Sequence, residues 1–140
     1  MTRVHATAIA IGRRGVLIRG RSGRGKSDLA LRLIDGGAKL IADDVVEIVK
    51  RGTALELRPP GETPRHLKGK MEVRGLGIVA MPSVARARLA LVIQLVEPER
   101  VERYPESARM AFLGIRIKLL KLSAFEASSA AKVRLAVAGL

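Results

Sequence analysis

Residues Gly20-Arg21-Ser22-Gly23-Arg24-Gly25-Lys26-Ser27 follow the spacing G-x-x-x-x-G-K-[ST]. Glycines at those positions let a backbone curl with its N–H groups pointing inward, and a helix that follows adds its positive end. Together they make a cradle for phosphate. In such a cradle Lys26 would reach the β- and γ-phosphates of a nucleoside triphosphate such as ATP, and the Ser27 hydroxyl would ligate Mg²⁺. The flanks suit the motif: the hydrophobic run Gly15-Val-Leu-Ile-Arg19 precedes it and a helix-like pattern begins at Asp28. The alternative, a glycine-rich hairpin loop that binds nothing, does not call for those flanks.

A phosphate loop alone only holds a nucleotide; moving a phosphoryl group also needs acids for the metal and for the acceptor. Leu40-Ile-Ala-Asp43-Asp44 places two carboxylates at the end of an apolar run, 17 and 18 positions after Lys26. Ligands of α/β sheets gather at the carboxyl ends of strands, the edge from which a phosphate loop emerges. Successive strand residues point to opposite faces, so Asp43 and Asp44 should differ in role if extension continues through them. One would face an acceptor hydroxyl as general base; the other would orient it or contact metal-bound water. Glu72, in Met71-Glu72-Val-Arg74-Gly75-Leu-Gly77-Ile78, is a further acid in what reads as a loop where backbone approaches a ligand closely. His5 and His66 carry little weight by themselves.

Elements must hold these groups in place. Val4 to Ile11 alternates in part, Gly12-Arg-Arg-Gly15 reads as a turn, and Val16 to Arg19 returns as the second arm of a hairpin. Ser27 to Gly36 has helical spacing at Leu29, Ala30, Leu33 and Ile34, stopped by Gly36-Gly37. Lys39–Ala42 is a short buried strand. Val45–Lys50 and Ala54–Arg58 form a hairpin, and Pro59–Lys70 is the longest loop. Ile78–Met81 and Leu89–Val96 read as strands covered on both faces, with Glu97–Ala111 irregular. A strand follows over Gly114–Leu120, then a helix from about Ser123 with Phe125, Ala130, Val133 and Val137 apolar. The expected architecture is a strand-rich α/β domain built around one phosphate loop.

Composition narrows the function classes. The chain has 140 residues, one domain's worth, and 48% are apolar, so it can bury a core. That core must be aliphatic, with two Phe, one Tyr and no Trp. The absence of cysteine excludes disulfides and thiolate metal sites, and suits a reducing, cytoplasmic setting. Apolar runs are too short to span a bilayer. The formal net charge is +13, but the 26 basic residues are scattered, with no block of five like charges. Few aromatics are present to stack on bases. The charge therefore suits polyanions in general, such as ATP, phosphorylated products or an acidic partner protein, better than nucleic acid.

Taken together, Val4-His5, GRSGRGKS at 20–27, LIADDVVEI at 40–48 and MEVRGLGI at 71–78 resemble the catalytic domain of the HPr kinase/phosphorylase family. MEVRGLG is the more specific signature, since unrelated ATPases lack it. The resemblance covers essentially the whole chain and implies a P-loop kinase domain of the PEP-carboxykinase-like type, a mixed sheet flanked by helices. It also implies the short single-domain form, over residues 1–140, without the family's N-terminal domain. The implied activity is ATP-dependent phosphorylation of a seryl residue on HPr or an HPr-like phosphocarrier protein of a phosphotransferase system.

By the resemblance, Lys26 and the loop amides hold the phosphates, and Ser27 and Glu72 are Mg²⁺ ligands. Asp44 takes the seryl proton, and His5 lies beside it and assists. Arg103, in Val101-Glu-Arg103-Tyr-Pro, is the catalytic arginine, with Arg116 as the second candidate. Family members assemble as hexamers. A proline- and arginine-rich segment tied to dephosphorylation has no counterpart in Leu119–Glu126, which counts against phosphorolysis and leaves the kinase direction intact. The competing functions are a P-loop ATPase or small-molecule kinase, and a non-catalytic ATP-binding regulator.

Overall fold

A computed structural model describes all of residues 1–140. The stretch expected as one strand from Val4 to Ile11 is two, β1 (Thr2–His5) and β2 (Thr7–Ile11), parted at the fully buried Ala6. β2 turns through Gly12 into β3 (Arg14–Arg19), which leads to the phosphate loop and α1 (Lys26–Asp35). β4 (Lys39–Ala42) and the hairpin β5 (Val45–Arg51) and β6 (Ala54–Arg58) follow. After the 59–69 loop, which holds a short 3-10 turn at Arg65–Leu67, come β7 (Lys70–Val73) and β8 (Gly77–Ala80). β9 (Ala87–Leu95), β10 (Ala108–Phe112), β11 (Ile115–Leu122) and α2 (Ser129–Ala138) complete the chain.

Nine strands make one mixed sheet in the order β1-β5-β6-β9-β3-β2-β4, with β11 also pairing with β9, and β10 with β11. β9 is the spine, parallel to β3 over Arg88–Gln94 and to β11 over Val92–Leu95, and antiparallel to β6 at its start. β1 and β2 are joined through Ala6 alone yet stand near opposite ends of that order, so the sheet must curl. One side packs Ala6 and, on β2, Ala8 and Ala10 against Leu17, Ile48, Leu57 and Val92. Small alanine side chains let facing strands approach closely. The other side packs Ile9, Val16, Ile18, Leu91 and Ile93 under Leu29, Leu33, Val133 and Val137 of the two helices. Leu33→Ala or Leu17→Ala would leave a cavity in one layer or the other, at about 2–5 kcal/mol.

Three further sequence expectations change. Ile78–Met81 is not a covered strand of the sheet: β8 pairs only with β7 in a separate hairpin, and Ile78 is exposed. Its apolar run misled because β-branched residues favour any strand, buried or not. The segment read as irregular up to Ala111 contains β10, an edge strand whose Met110 and Phe112 face inward. Phe125 does not belong to the last helix, which begins at Ser129. No helix is long and apolar enough to cross a membrane.

Candidate nucleotide cleft

β3, β9 and β11 run parallel, and β4 shares their direction because it and β3 are both antiparallel to β2. Their carboxyl ends therefore meet at one edge. From it emerge the Gly20–Ser27 loop, the Asp43-Asp44 turn, Glu97 and the Ser123–Ser128 segment. A cleft of about 940 Å³ opens there, bounded across from the sheet by the 59–69 loop and the β7–β8 hairpin. Its lining includes Lys26, Ser27, Asp43, Asp44, Glu72 and Arg74.

Within the loop, Gly23 and Gly25 take left-handed φ values of 84° and 89°, which side-chain-bearing residues resist. Gly25 is also hemmed in: a Cβ there would lie 2.9 Å from Ala124 Cβ. The amides of Gly23, Gly25, Lys26 and Ser27 donate to no carbonyl of the chain. They are the unsatisfied donors of the start of α1 and the loop before it. Lys26 Nζ arches back to donate to Gly20 O at 2.7 Å and Arg21 O at 3.3 Å, which centres its charge over the loop. Arg24 pairs with Glu97 at 2.9 Å and ties the loop to the exit of β9. Backbone donors, a lysine and a helix start converge as a phosphate requires.

The two aspartates differ, but not through strand alternation: β4 ends at Ala42 and both lie in the bend that follows. Asp43 is half-buried, and its Oδ1 accepts hydrogen bonds from Ser27 Oγ at 3.1 Å and Thr7 Oγ1 at 2.9 Å. It thus couples β2, β4 and the phosphate loop. Asp44 has φ +73°, a left-handed turn that carries its carboxylate into the cleft as an exposed group. Its carbonyl accepts from Ala6 N at 3.1 Å, which fixes the turn to the gap between β1 and β2. Asp tolerates that conformation better than most residues.

Glu72 lies on β7, not on the loop the sequence suggested, and is exposed toward the cleft. No cluster of three or more His, Asp or Glu side chains is set to hold a metal by itself. Mg²⁺ fits such a place, because it is commonly held by one or two protein oxygens with phosphates and waters completing the shell. The hydroxyl and carboxylate oxygens of Ser27, Asp43 and Glu72 are the hard donors it prefers.

The wall formed by the 59–69 loop is latched to the sheet through charge. Arg3 on β1 reaches Glu62 of that loop at 2.6 Å and Glu47 of β5 at 3.0 Å, and Arg58 reaches Glu47 at 2.7 Å. Hydrogen bonding from Arg58, then from Arg3, holds the buried Glu47 carboxyl below the usual carboxylate range despite the opposing pull of burial. Hydrogen bonding from Arg3 lowers Glu62 in the same way.

Of the site residues read from sequence, the loop 20–27 and Asp43, Asp44 and Glu72 come together at one edge. His5 pairs in register with Val45, next to Asp44, but is exposed and outside the cleft lining. Arg103 sits in the exposed 101–107 segment and does not line the cleft. Arg116 is near the start of β11, at the opposite edge of the sheet, where it lines a separate basic cavity with Arg13, Arg14, Arg88 and Arg109. The arginine that does line the cleft is Arg74, whose only sequence signal was its place inside MEVRGLGI. Thr7 was missed because a threonine in a strand looks like ordinary β-propensity. Its partner lies 36 residues away.

The family described as HPr Serine kinase C-terminal domain matches residues 1–137. The chain belongs to that family. Among curated relatives of this HPr kinase-family chain, the HPr kinase/phosphorylase of Chloroherpeton thalassium is 33% identical over 129 residues, 84% of this chain and 37% of that protein. Those of Cupriavidus metallidurans and Bordetella pertussis are 36% and 35% identical, over 85% and 86% of this chain and 39% and 42% of theirs. The chain thus spans about two fifths of the length of these relatives. The HPr(Ser) kinase/phosphatase structure from Coxiella burnetii superposes with a TM-score of 0.83 at 26% identity, over 99% of this chain and 95% of that one. The strand-rich α/β fold with a mixed sheet flanked by helices is shared.

Proposed function

We propose that this chain is the catalytic domain of an ATP-dependent serine protein kinase acting on HPr or an HPr-like phosphocarrier protein. One observation carries the reading: Lys26, Ser27, Asp43, Asp44 and Glu72 line a single cleft, with Asp43 hydrogen-bonded to Ser27 and Asp44 left open toward the cleft. The names of the relatives, HPr kinase/phosphorylase, support the same reading.

The mechanism follows from the geometry. ATP enters with its phosphates in the Gly20–Ser27 cradle, where the loop amides and Lys26 neutralise the β- and γ-phosphates. Ser27 and Glu72 are the residues that would hold Mg²⁺, with Asp43 fixing the Ser27 hydroxyl. When bound, Mg²⁺ offsets charge on the β- and γ-oxygens. A seryl hydroxyl, a poor nucleophile, approaches the γ-phosphorus beside Asp44. Asp44 takes its proton as the new P–O bond forms and the bond to the ADP oxygen breaks, then gives that proton to solvent. Such a base contributes about 10²–10⁴-fold. His5 flanks the turn that bears Asp44 and assists it. Arg74, which lines the cleft, would meet charge on the transferring group, a role that the resemblance gives to Arg103. Transfer from ATP is the favoured direction; phosphorolysis is the weaker expectation for this sequence.

Incubation with γ-labelled ATP, Mg²⁺ and the HPr-like protein of the same organism tests this. Label on a protein seryl group is the expected result. Label in free phosphate or a small metabolite would point to an ATPase or a small-molecule kinase, and ATP binding without transfer would point to a regulator.

A further inference from the structure

Phe125 is an aromatic ring in an unexpected place. It is 61% exposed, whereas Phe112 is buried. Exposed Tyr104 is not at the cleft, so Phe125 is the one aromatic side chain that lines it. The ring also abuts the phosphate loop: a Cβ on Gly25 would sit 3.2 Å from Phe125 Cε1 and 3.6 Å from Cζ.

Exposure here does not come with a loose backbone. Phe125 N donates to Ser123 Oγ at 3.3 Å, and the Ser129 hydroxyl donates to Ser123 O at 2.5 Å. Arg32, half-buried on α1, donates to Ala124 O and to Glu126 O, the carbonyls on either side of Phe125. Lys132 of α2 adds an ion pair to Glu126 at 3.3 Å. Four of these contacts fix the segment to both helices, and the fifth, from Phe125 N to Ser123 Oγ, closes it on itself. A flat apolar face stays in water, one loop-width from where phosphates would sit.

We propose that the Phe125 ring is the surface on which the nucleobase of the bound nucleotide stacks, the triphosphate running from there into the Gly20–Ser27 loop. This rests on the nucleotide-binding reading above and adds the residue that holds the end of the ligand away from the phosphates. Every base presents a π-face, so a single ring suffices to grip it without a base-specific hydrogen bond. Preformed placement means that little ordering accompanies binding.

The test compares ATP with inorganic tripolyphosphate, each with Mg²⁺, by equilibrium calorimetry on the full chain carrying Phe125→Ala, Phe125→Trp or no change. Phe125→Ala is expected to weaken ATP by roughly tenfold or more, and tripolyphosphate by less than about twofold. Phe125→Trp is expected to keep ATP affinity. Because the side chain is exposed, the thermal midpoint should barely move, and this is measured alongside. Equal weakening of both ligands by Phe125→Ala would overturn the proposal, since the ring would then act only through the shape of the phosphate loop. Unchanged ATP affinity in Phe125→Ala, with a raised KM for an acceptor protein, would overturn it in favour of a docking role. Failure of the unaltered chain to bind either ligand would instead sink the nucleotide reading itself, and this inference with it.

Discussion

Gly25→Ala examines the phosphate loop where its geometry is most constrained. Gly25 precedes α1 with φ +89°, and a methyl group there would come within 2.9 Å of Ala124 Cβ and 3.2 Å of Phe125 Cε1. Ala124 is itself buried and hydrogen-bonded through its carbonyl to Arg32, so it has little room to retreat. The left-handed conformation costs an alanine about 1–2 kcal/mol. Crowding against packed atoms adds about 1–3 kcal/mol. The stiffer unfolded chain offsets about 0.4–1 kcal/mol, leaving a net loss of about 2–3 kcal/mol. For a chain of this size that lowers the thermal midpoint by about 7–10 °C. Gly23→Ala is the internal control. It shares the positive φ, at +84°, but a Cβ there meets nothing within 4 Å, so only the backbone strain applies. With the same offset from the stiffer unfolded chain, its midpoint should fall by only about 2–3 °C. Thermal melts followed by circular dichroism, with ATP titrations on both variants, make the comparison. A Gly25→Ala chain that melts no lower than Gly23→Ala and binds ATP normally would refute the idea that Ala124 and Phe125 brace the loop.

Asp44→Asn should reduce phosphoryl transfer by about 10²–10⁴-fold with ATP affinity within about twofold, measured by single-turnover transfer and by calorimetry. Asp43→Ala leaves the hydroxyls of Thr7 and Ser27 without their acceptor, so both transfer and Mg²⁺-dependent ATP affinity should fall; retention of that affinity would remove Asp43 from the site. Glu47 gives a pH test. Its folded pKa is depressed below the ordinary 4.5, so the stability from its charge is present above that value and lost as pH falls through the folded one. Melts from about pH 6 to about pH 3 should show a steeper loss in the unaltered chain than in Glu47→Gln; parallel curves would contradict it.

The parts of the site that lie close in sequence were legible without coordinates. Gly20–Ser27 and Asp43-Asp44 follow from local rules: a loop between strand and helix, and acids at a strand's end. Parallel β3, β4 and β9 then carry them to one edge. What escaped depends on pairings between distant residues. Thr7 holds Asp43 across the curl of the sheet, and Arg32 holds Phe125 across the helix layer; neither leaves a local signature. The β7–β8 hairpin was misread because Ile78-Val79-Ala80 has the composition of a buried strand, and composition does not say whether a second sheet layer covers it. The arginine was sought downstream, at Arg103 and Arg116, whereas the cleft's own lies at Arg74, in a motif already marked for Glu72.

The most direct measurement is a crystal structure of the chain with Mg²⁺ and a non-hydrolysable ATP analogue. The account predicts the terminal phosphate within the Gly20–Ser27 loop beside Lys26, the metal between Ser27 and Glu72, and the Asp44 carboxylate facing the γ-phosphorus from the side open to an acceptor. Density for the analogue elsewhere, with the loop empty or Asp44 turned away from the phosphate, would contradict it.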